Sequence, residues 1–512
     1  MIPVPAHHCF PPDRTPRVKR MPTPSRSSAP LVIALLALGF VFGWLDSPPL
    51  LADEPNPPAA RWFKGNLHTH SLWSDGDDFP EMIADWYRQA GYHFLALSDH
   101  NQLSDGAKWM PVDAVVKRSG KDALEPYRRR FGADWCQTRT VAGQLQVRLK
   151  PLAEFRGLLE QADRFLLIQS EEITDHVGPL PLHINAHNLR DAIQPQGGQT
   201  IREAMTKNLA AVERQSERTG RPILAHLNHP NYEYGVTAED LAAVVGERFF
   251  EIYNGHPAVN QLGDAKHPSV ERIWDIANTI RLADLKSPPL FGLANDDAHQ
   301  YFNHSGASPG RGWVQVRARR LTPESLIAAI RQGDFYASSG VTLDDVRFDP
   351  ASGELAIEIH PDGDAHFTTQ FIGTRRVSTA DAESPPAADA PPADTVPQSE
   401  TSPPADAGSP ADPAPSTTAA PQTTNPSLAV GAILATVEGL APHYTLTGDE
   451  WYVRALVTSS NSPANPSYKA QKAQAWTQPV GWEKWLTTAA PVTAEPAPAA
   501  PAIPEVPPTV PQ

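Results

Sequence analysis

Between Arg61 and Gly340 one pattern recurs: a short apolar run breaks off on histidine, a carboxylate or asparagine, and a longer mixed stretch follows before the next run. Trp62 to Leu67 ends on His68-Thr69-His70, His93 to Leu97 on Ser98-Asp99-His100, and Phe165 to Gln169 on Ser170-Glu171-Glu172. Pro222 to Leu227 ends on Asn228-His229-Pro230, Phe249 to Tyr253 on Asn254-Gly255, and Pro289 to Leu293 runs on to Asp296-Asp297. Runs of this length read as buried strands. The stretches between them read as helices: Phe79 to Ala90 carries Met82, Ile83, Trp86 and Tyr87 on one face and closes at Gly91, and Ile201 to Thr219 and Thr237 to Val245 follow the same logic. Alternation of strand and helix predicts parallel strands in an α/β barrel, and polar residues just past the strands fall where such barrels keep their chemistry.

Beyond Gly340 the period changes. Val341 to Phe348, Glu354 to His360 and His366 to Ile372 alternate apolar and polar residues, as half-buried strands do. Much of the chain's 54 prolines fall in two later stretches. The first, Val377 to Pro426, holds Pro, Ala, Thr, Ser and Asp with no Lys, Arg or aromatic residue, a composition that cannot bury enough surface to fold. Strand-like sequence resumes at Leu428 and continues through Trp451 to Thr458 and Ala473 to Thr477. The expected organisation is a targeting segment over 1–52, a barrel over 61–340, a small β domain over 341–486 interrupted by a disordered insertion at 377–426, and a disordered tail at 487–512.

The first segment sets Arg14, Arg17, Lys19, Arg20 and Arg26 before an apolar run from Leu31 to Leu45, short for a membrane span of ~20 residues. This predicts export to the periplasm or the cell exterior, with an uncleaved membrane anchor as the alternative. Cys9 and Cys136 are the two cysteines, which excludes a disulfide framework and disfavours a thiolate metal site. A net charge of −15 argues against nucleic acid as a partner and leaves a small-molecule substrate.

Each polar residue taken alone has an ordinary reading. His68 and His70 share one face of a strand, Asp75 sits in a Ser-Asp-Gly turn, His183 is flanked by apolar residues, and His229 precedes a proline. Their recurrence in order at strand ends is what ordinary readings do not explain, because imidazoles and carboxylates together are the ligands of Zn²⁺, Mn²⁺ and Fe²⁺. His176, His226, His256 and His304 are further candidates to line such a site.

The ordered motifs resemble those of the polymerase and histidinol phosphatase (PHP) superfamily over roughly Arg61 to Gly340. They are His68-Thr69-His70 with Ser74-Asp75-Gly76, Ser98-Asp99-His100, the glutamate of Ser170-Glu171-Glu172-Ile173-Thr174, His183, Asn228-His229-Pro230 and Asp297-Ala298-His299. Gly310-Arg311-Gly312-Trp313 and the segment from Gly333 to Gly340, followed by a small β domain, are similar to the exported branch related to carbaryl hydrolase. The resemblance implies a distorted (β/α)7 barrel holding two or three divalent ions (Zn, Mn or Fe). It implies that His68, His70, Glu172 and Asp297 hold one ion and that Glu172 bridges to a second on His183 and His229. Asp75, His100 and His299 hold a third, where other members carry histidine in place of Asp75. Glu172 and Asp297 would then take part in catalysis, and Arg311 would neutralise a substrate oxyanion. The implied activity is metal-dependent hydrolysis of a phosphoester, carboxylic ester or carbamate. Two rivals are an amidohydrolase-type C–N hydrolase, for which no strand-end lysine is present, and a non-catalytic metal-containing binding module.

Overall fold

The structure, a computed structural model, describes residues 58–120, 122–302, 306–376 and 429–486. The expected targeting segment, the insertion, the tail and His304 lie outside these residues. Among the described residues no helix is long and apolar enough to cross a membrane.

The chain enters on β1 (Arg61–Asn66), turns through α1 (Pro80–Gln89) and returns on β2 (Phe94–Leu97) parallel to β1. Gly65 lets the two strands meet: a Cβ there would lie about 2.0 Å from the Phe94 ring. An excursion follows, with β3 (Lys108–Pro111), α2 (Val112–Ser119), α3 (Leu124–Phe131), β4 (Thr138–Val141) and β5 (Gln144–Leu149). Its three strands pair among themselves in the order β3-β5-β4. The chain then runs through α4 (Leu152–Leu159) into β6 (Leu166–Val177), which is parallel to β2.

Here the structure departs from the expected alternation. β6 does not stop at Glu172 but continues to Val177 and turns at Gly178-Pro179 into β7 (Leu180–His187), an antiparallel partner. Gly178 supplies the positive φ of 59° that a two-residue hairpin turn requires, so no crossover helix is needed. His183 accordingly lies inside a strand, where its register partner is Thr174.

Helix α5 (Ile201–Thr219) begins where the Thr200 hydroxyl accepts the Glu203 N–H and ends at Gly220 in the left-handed region. Then come β8 (Leu224–Leu227), α6 (Ala238–Ala243), β9 (Phe249–Asn254), α7 (Val270–Ala283) and β10 (Phe291–Asn295), with β8, β9 and β10 mutually parallel. β11 (Trp313–Ala318) returns antiparallel to β1, and α8 (Pro323–Arg331) leads to β12 (Phe335–Ser338). The remaining strands are β13 (Leu343–Asp349), β14 (Glu354–Ile359), β15 (Phe367–Arg375), β16 (Ala432–Glu438), β17 (His443–Thr445), β18 (Glu450–Ser459) and β19 (Gln474–Trp476).

Thirteen strands form one mixed sheet in the order β10-β9-β8-β7-β6-β2-β1-β11-β12-β19-β18-β15-β16, while β13, β14 and β17 form a separate sheet of three. The large sheet is not a closed (β/α)7 ladder. The segments following β1 and β10 pair in an isolated parallel bridge, Thr69 with Ala298, where the His70 N–H donates to Ala298 O at 2.9 Å and the Asp297 N–H to His68 O at 3.0 Å. That bridge lies at the candidate site and brings the first and last polar motifs side by side. Phe63, Phe94, Ile168, Phe249, Leu293 and Val316 pack below it, all buried. α7 docks the later strands through a buried network in which Arg454 donates to both oxygens of Asp275 at 2.9 and 2.8 Å and the Tyr452 hydroxyl to Asp275 Oδ1 at 2.7 Å.

Candidate metal centre

His68 and His70 project from the end of β1 on one face, and both are fully buried. Glu172 and Glu171 are neighbours on β6 and point to opposite faces. Glu172 faces the two histidines, with Oε1 at 3.3 Å from His68 Nε2 and Oε2 at 3.4 Å from His70 Nε2. Glu171 instead accepts the Ile193 N–H at 2.5 Å, and burial pushes its carboxyl up to about 8. Asp297 adopts φ 50°, a left-handed conformation tolerated by aspartate, and sets Oδ1 at 3.2 Å from both His68 Nε2 and His70 Nε2.

The other candidates converge on the same two carboxylates. His183 Nδ1 lies 3.0 Å and His229 Nε2 3.5 Å from Glu172 Oε1, and His100 Nδ1 lies 2.8 Å from Glu172 Oε2. At the outer rim Asp75, half exposed, stands 3.5 Å from His100 Nε2, 3.4 Å from His299 Nε2 and 3.4 Å from His70 Nδ1. Four overlapping sets of ligating atoms result: His70, Asp75, His100 and His299; His68, His70 and Glu172; His68, His229 and Asp297; and His100, Glu172 and His183. Asp75, His100, Glu172, His183, His229, Asp297 and His299 line a cavity of about 300 Å³ together with Asp77, Arg118, Tyr232 and His256, while His68 and His70 are buried and outside its lining.

Within this group His68 Nε2, His70 Nε2, His183 Nδ1 and Glu172 Oε2 are buried and have no aligned hydrogen-bond partner. Their tautomers sharpen the point. His299 Nδ1 faces the backbone carbonyl of Asp297 at 2.9 Å, which can only accept, so Nδ1 holds the proton and the Nε2 of the neutral ring turns a lone pair toward Asp75. His68 Nδ1 faces Glu251 Oε1 at 2.8 Å, leaving its Nε2 lone pair toward Glu172 and Asp297. Lone pairs facing carboxylate oxygens need positive charge between them, either protons or metal ions. The proton affinities report the same demand. Burial pulls His68 down, but Asp297, Glu251 and Glu172 outweigh it and hold the imidazole well above its usual range. His100 is likewise pushed up to about 11, with Glu172 and Asp75 overcoming its burial. Burial pushes the Glu172 and Asp297 carboxyls up, and the surrounding imidazoles more than reverse it, leaving both well below the ordinary carboxylate range.

Around the centre stand residues that hold the candidate ligands in place, of which Glu251 and His187 carry no sequence signal. Glu251, buried on β9, accepts from His68 Nδ1, from Asn295 Nδ2 at 2.9 Å, from the His229 N–H at 2.9 Å and from Asn254 Nδ2 at 2.8 Å. A carboxylate behind a ligating histidine is the usual orienting partner. His226 and His187 lie beneath it rather than in the cavity, with His187 Nε2 3.2 Å from His226 Nδ1. Asp99 is structural: it accepts from the Ser71 and Ser74 N–H groups at 2.8 and 2.9 Å and so shapes the loop that carries Asp75. Asp296, the neighbour of Asp297, accepts the Tyr87 hydroxyl at 2.6 Å and the Arg311 and Gly312 N–H groups at 2.6 and 2.8 Å.

Arg311 does not take the place expected for an oxyanion ligand. It is 3% exposed, is absent from the cavity lining, and donates Nη1 to Gly255 O at 2.8 Å and Nε to Asn465 Oδ1 at 3.3 Å. Asn465 belongs to a distant part of the chain, which is why the Gly-rich context of Arg311 could not reveal this use. Among the described residues the guanidinium that lines the cavity is that of Arg118, on α2 of the excursion.

No family model matches the chain, and neither does any curated protein. Among solved structures, a two-domain protein containing a predicted PHP-like metal-dependent phosphoesterase from Bacteroides vulgatus aligns with 62% of this chain and 80% of its own, at 16% identity and a TM-score of 0.33. PsfC from Pseudomonas syringae aligns with 53% of this chain and 88% of its own, at 11% identity and a TM-score of 0.28. A protein from Bifidobacterium adolescentis, described by inference as a metal-dependent phosphoesterase, aligns with 48% of this chain and 91% of its own, at 13% identity and a TM-score of 0.25. Likeness at this level does not reach function, which has to be read from the site itself.

Proposed function

We propose that this chain is a metal-dependent hydrolase of the PHP kind, acting on a small phosphoester, carboxylic ester or carbamate. The observation that carries the reading is the convergence of the buried, unpartnered nitrogens of His68, His70 and His183 on the Glu172 carboxylate, with Asp297 beside the first two. A donor set of imidazole and carboxylate suits Zn²⁺, Mn²⁺ or Fe²⁺. His68, His70, Glu172 and Asp297 would hold one ion, Glu172 with His183 and His229 a second, and Asp75, His100 and His299 a third. Divalent ions, when bound, supply Lewis-acid polarisation of a substrate oxygen and activation of water. The protein's own part is to fix those ligands: the bridge between Thr69 and Ala298 sets the first and last motifs in register, and Asp99 and Glu251 hold the loop and the ring behind them.

The motif order and the Gly310 to Trp313 and Gly333 to Gly340 segments support the carbaryl-hydrolase-related branch. The basic and apolar N-terminal sequence supports export, with a membrane contact only if that segment stays uncleaved, and the negative charge supports a small substrate over nucleic acid. A barrel-type catalytic domain over 61–340 followed by a β domain over 341–486 remains our reading of the organisation.

The test is elemental analysis of protein purified without chelator, then a screen on chromogenic phosphomonoester, phosphodiester, carboxylester and carbamate substrates. About two to three transition-metal ions per chain and chelator-sensitive turnover of one class are expected. Protein that holds no metal and takes none up from Mn²⁺ or Zn²⁺ overturns the reading.

A further inference from the structure

Not every residue lining the cavity is a candidate ligand. His256 and Tyr232 line it as well, Tyr232 packing against His229 and His256 against His299, with ring centroids 5.2 and 5.4 Å apart. His256 stands just beyond β9, and its peptide N–H is tied to Asn254 Oδ1 at 2.8 Å. Asn254 in turn donates to Asp297 Oδ2 at 3.2 Å and to Glu251 Oε2 at 2.8 Å, so the position of His256 is linked to the ligand frame.

The tautomer of His256 follows from geometry. Its Nδ1 accepts the Ala258 peptide N–H at 3.1 Å. A peptide N–H can only donate, so Nδ1 carries no proton, the ring is neutral, and the ring proton sits on Nε2. No protein group among the described residues takes up that donor. A neutral, fixed N–H donor in the wall of a cavity otherwise rich in carboxylates is suited to a substrate oxygen that gains negative charge.

We infer that His256 is a substrate-binding donor whose Nε2–H hydrogen-bonds an oxygen of the substrate's reacting oxyanion group, a role distinct from the metal-ligating histidines. This rests on the hydrolase reading above. The cavity volume of about 300 Å³ admits a compact oxyanion and leaves the bulk of a substrate outside.

The experiment uses the full, Mn²⁺-loaded protein, with metal content measured for every variant. Inorganic phosphate and orthovanadate are the probes, followed by calorimetry. His256→Phe is expected to weaken binding of both anions by roughly 10–100-fold at unchanged metal content, as loss of a hydrogen bond to a charged acceptor does. His256→Gln, which keeps a side-chain N–H donor, should recover part of that loss. Independently, the ¹⁵N shifts of His256 in the chelated wild-type protein should report the Nε2–H tautomer. Equal anion affinity in wild type and His256→Phe, a wild-type protein that holds metal but binds neither anion, or an Nδ1–H or doubly protonated ring overturns the assignment. Failure of the hydrolase reading itself is seen separately, as a wild-type protein that takes up no metal.

Discussion

Glu251→Gln is the substitution that most directly tests how the centre is held. Glu251 is fully buried, and as a carboxylate it accepts four donors: His68 Nδ1–H at 2.8 Å, Asn295 Nδ2 at 2.9 Å, the His229 N–H at 2.9 Å and Asn254 Nδ2 at 2.8 Å. Glutamine keeps the shape but can accept at only one of its two ends. If the amide oxygen stays with His229 and Asn254, the NH₂ group faces His68 Nδ1–H, donor against donor. Relief comes from moving the His68 proton to Nε2, which removes the lone pair aimed between Glu172 and Asp297. A ligand lost through its orienting partner costs about 10–100-fold in metal affinity, or roughly 1.4–2.8 kcal/mol. The assay is competition of Zn²⁺ or Mn²⁺ against a calibrated chelator, with Glu171→Gln as the control, since Glu171 faces away and accepts from the Ile193 N–H. Unchanged affinity in Glu251→Gln, or an equal loss in Glu171→Gln, would refute the orienting role.

Three further outcomes follow from the same geometry. Glu172→Ala should abolish activity and remove about two ions at once, while Glu171→Ala should be milder; the reverse ranking in elemental analysis would place the bridging carboxylate one residue off. In chelated protein, stability should fall as pH rises from about 6.5 toward 11, because His100, raised to about 11 by Glu172 and Asp75 against its burial, contributes stability below its unfolded pKa that is lost through its folded one. Metal-loaded protein should lack that decline, and melting curves that run in parallel in the two forms would contradict it. Finally, β15 and β16 pair with Gly373 opposite Ala432, and the Gly431 N–H donates to the Thr374 hydroxyl at 3.0 Å, so the ends of the insertion are already adjacent. Replacing 377–426 by a short Gly/Ser turn should leave melting temperature and turnover nearly unchanged, and a large loss of stability would show that the segment contributes to the fold.

Much was legible wherever the physical cause is local. The ends of α5 follow from the Thr200 cap and Gly220, and β1, β2 and β9 fall, to within one residue at each end, on apolar runs that stop at polar residues. The choice of Glu172 over Glu171 agrees with the alternation of side chains along β6. The length of β6 and the pairing of β7 were not legible, because a two-residue turn at Gly178-Pro179 competes with the expected crossover and only the partner strand decides between them. The excursion from Lys108 to Leu149 was opaque for the same reason, its short strands being stabilised by one another.

The order and chemical identity of the histidines and carboxylates belong to the sequence, since they are covalent facts about which donors exist and in what succession. Whether those donors meet, which nitrogen of each ring is free, and which charged neighbours are already used belong to the tertiary structure. Thr69 and Ala298 had to pair across more than half the described chain before His70 and Asp297 could stand 3.2 Å apart. Glu251 became the partner of His68, and Arg311 was bound by Gly255 and Asn465, through contacts between residues remote in sequence. Such contacts have no local signature, because they are selected by burial and by the need of each buried polar group for a partner, which is settled only when the whole chain has packed.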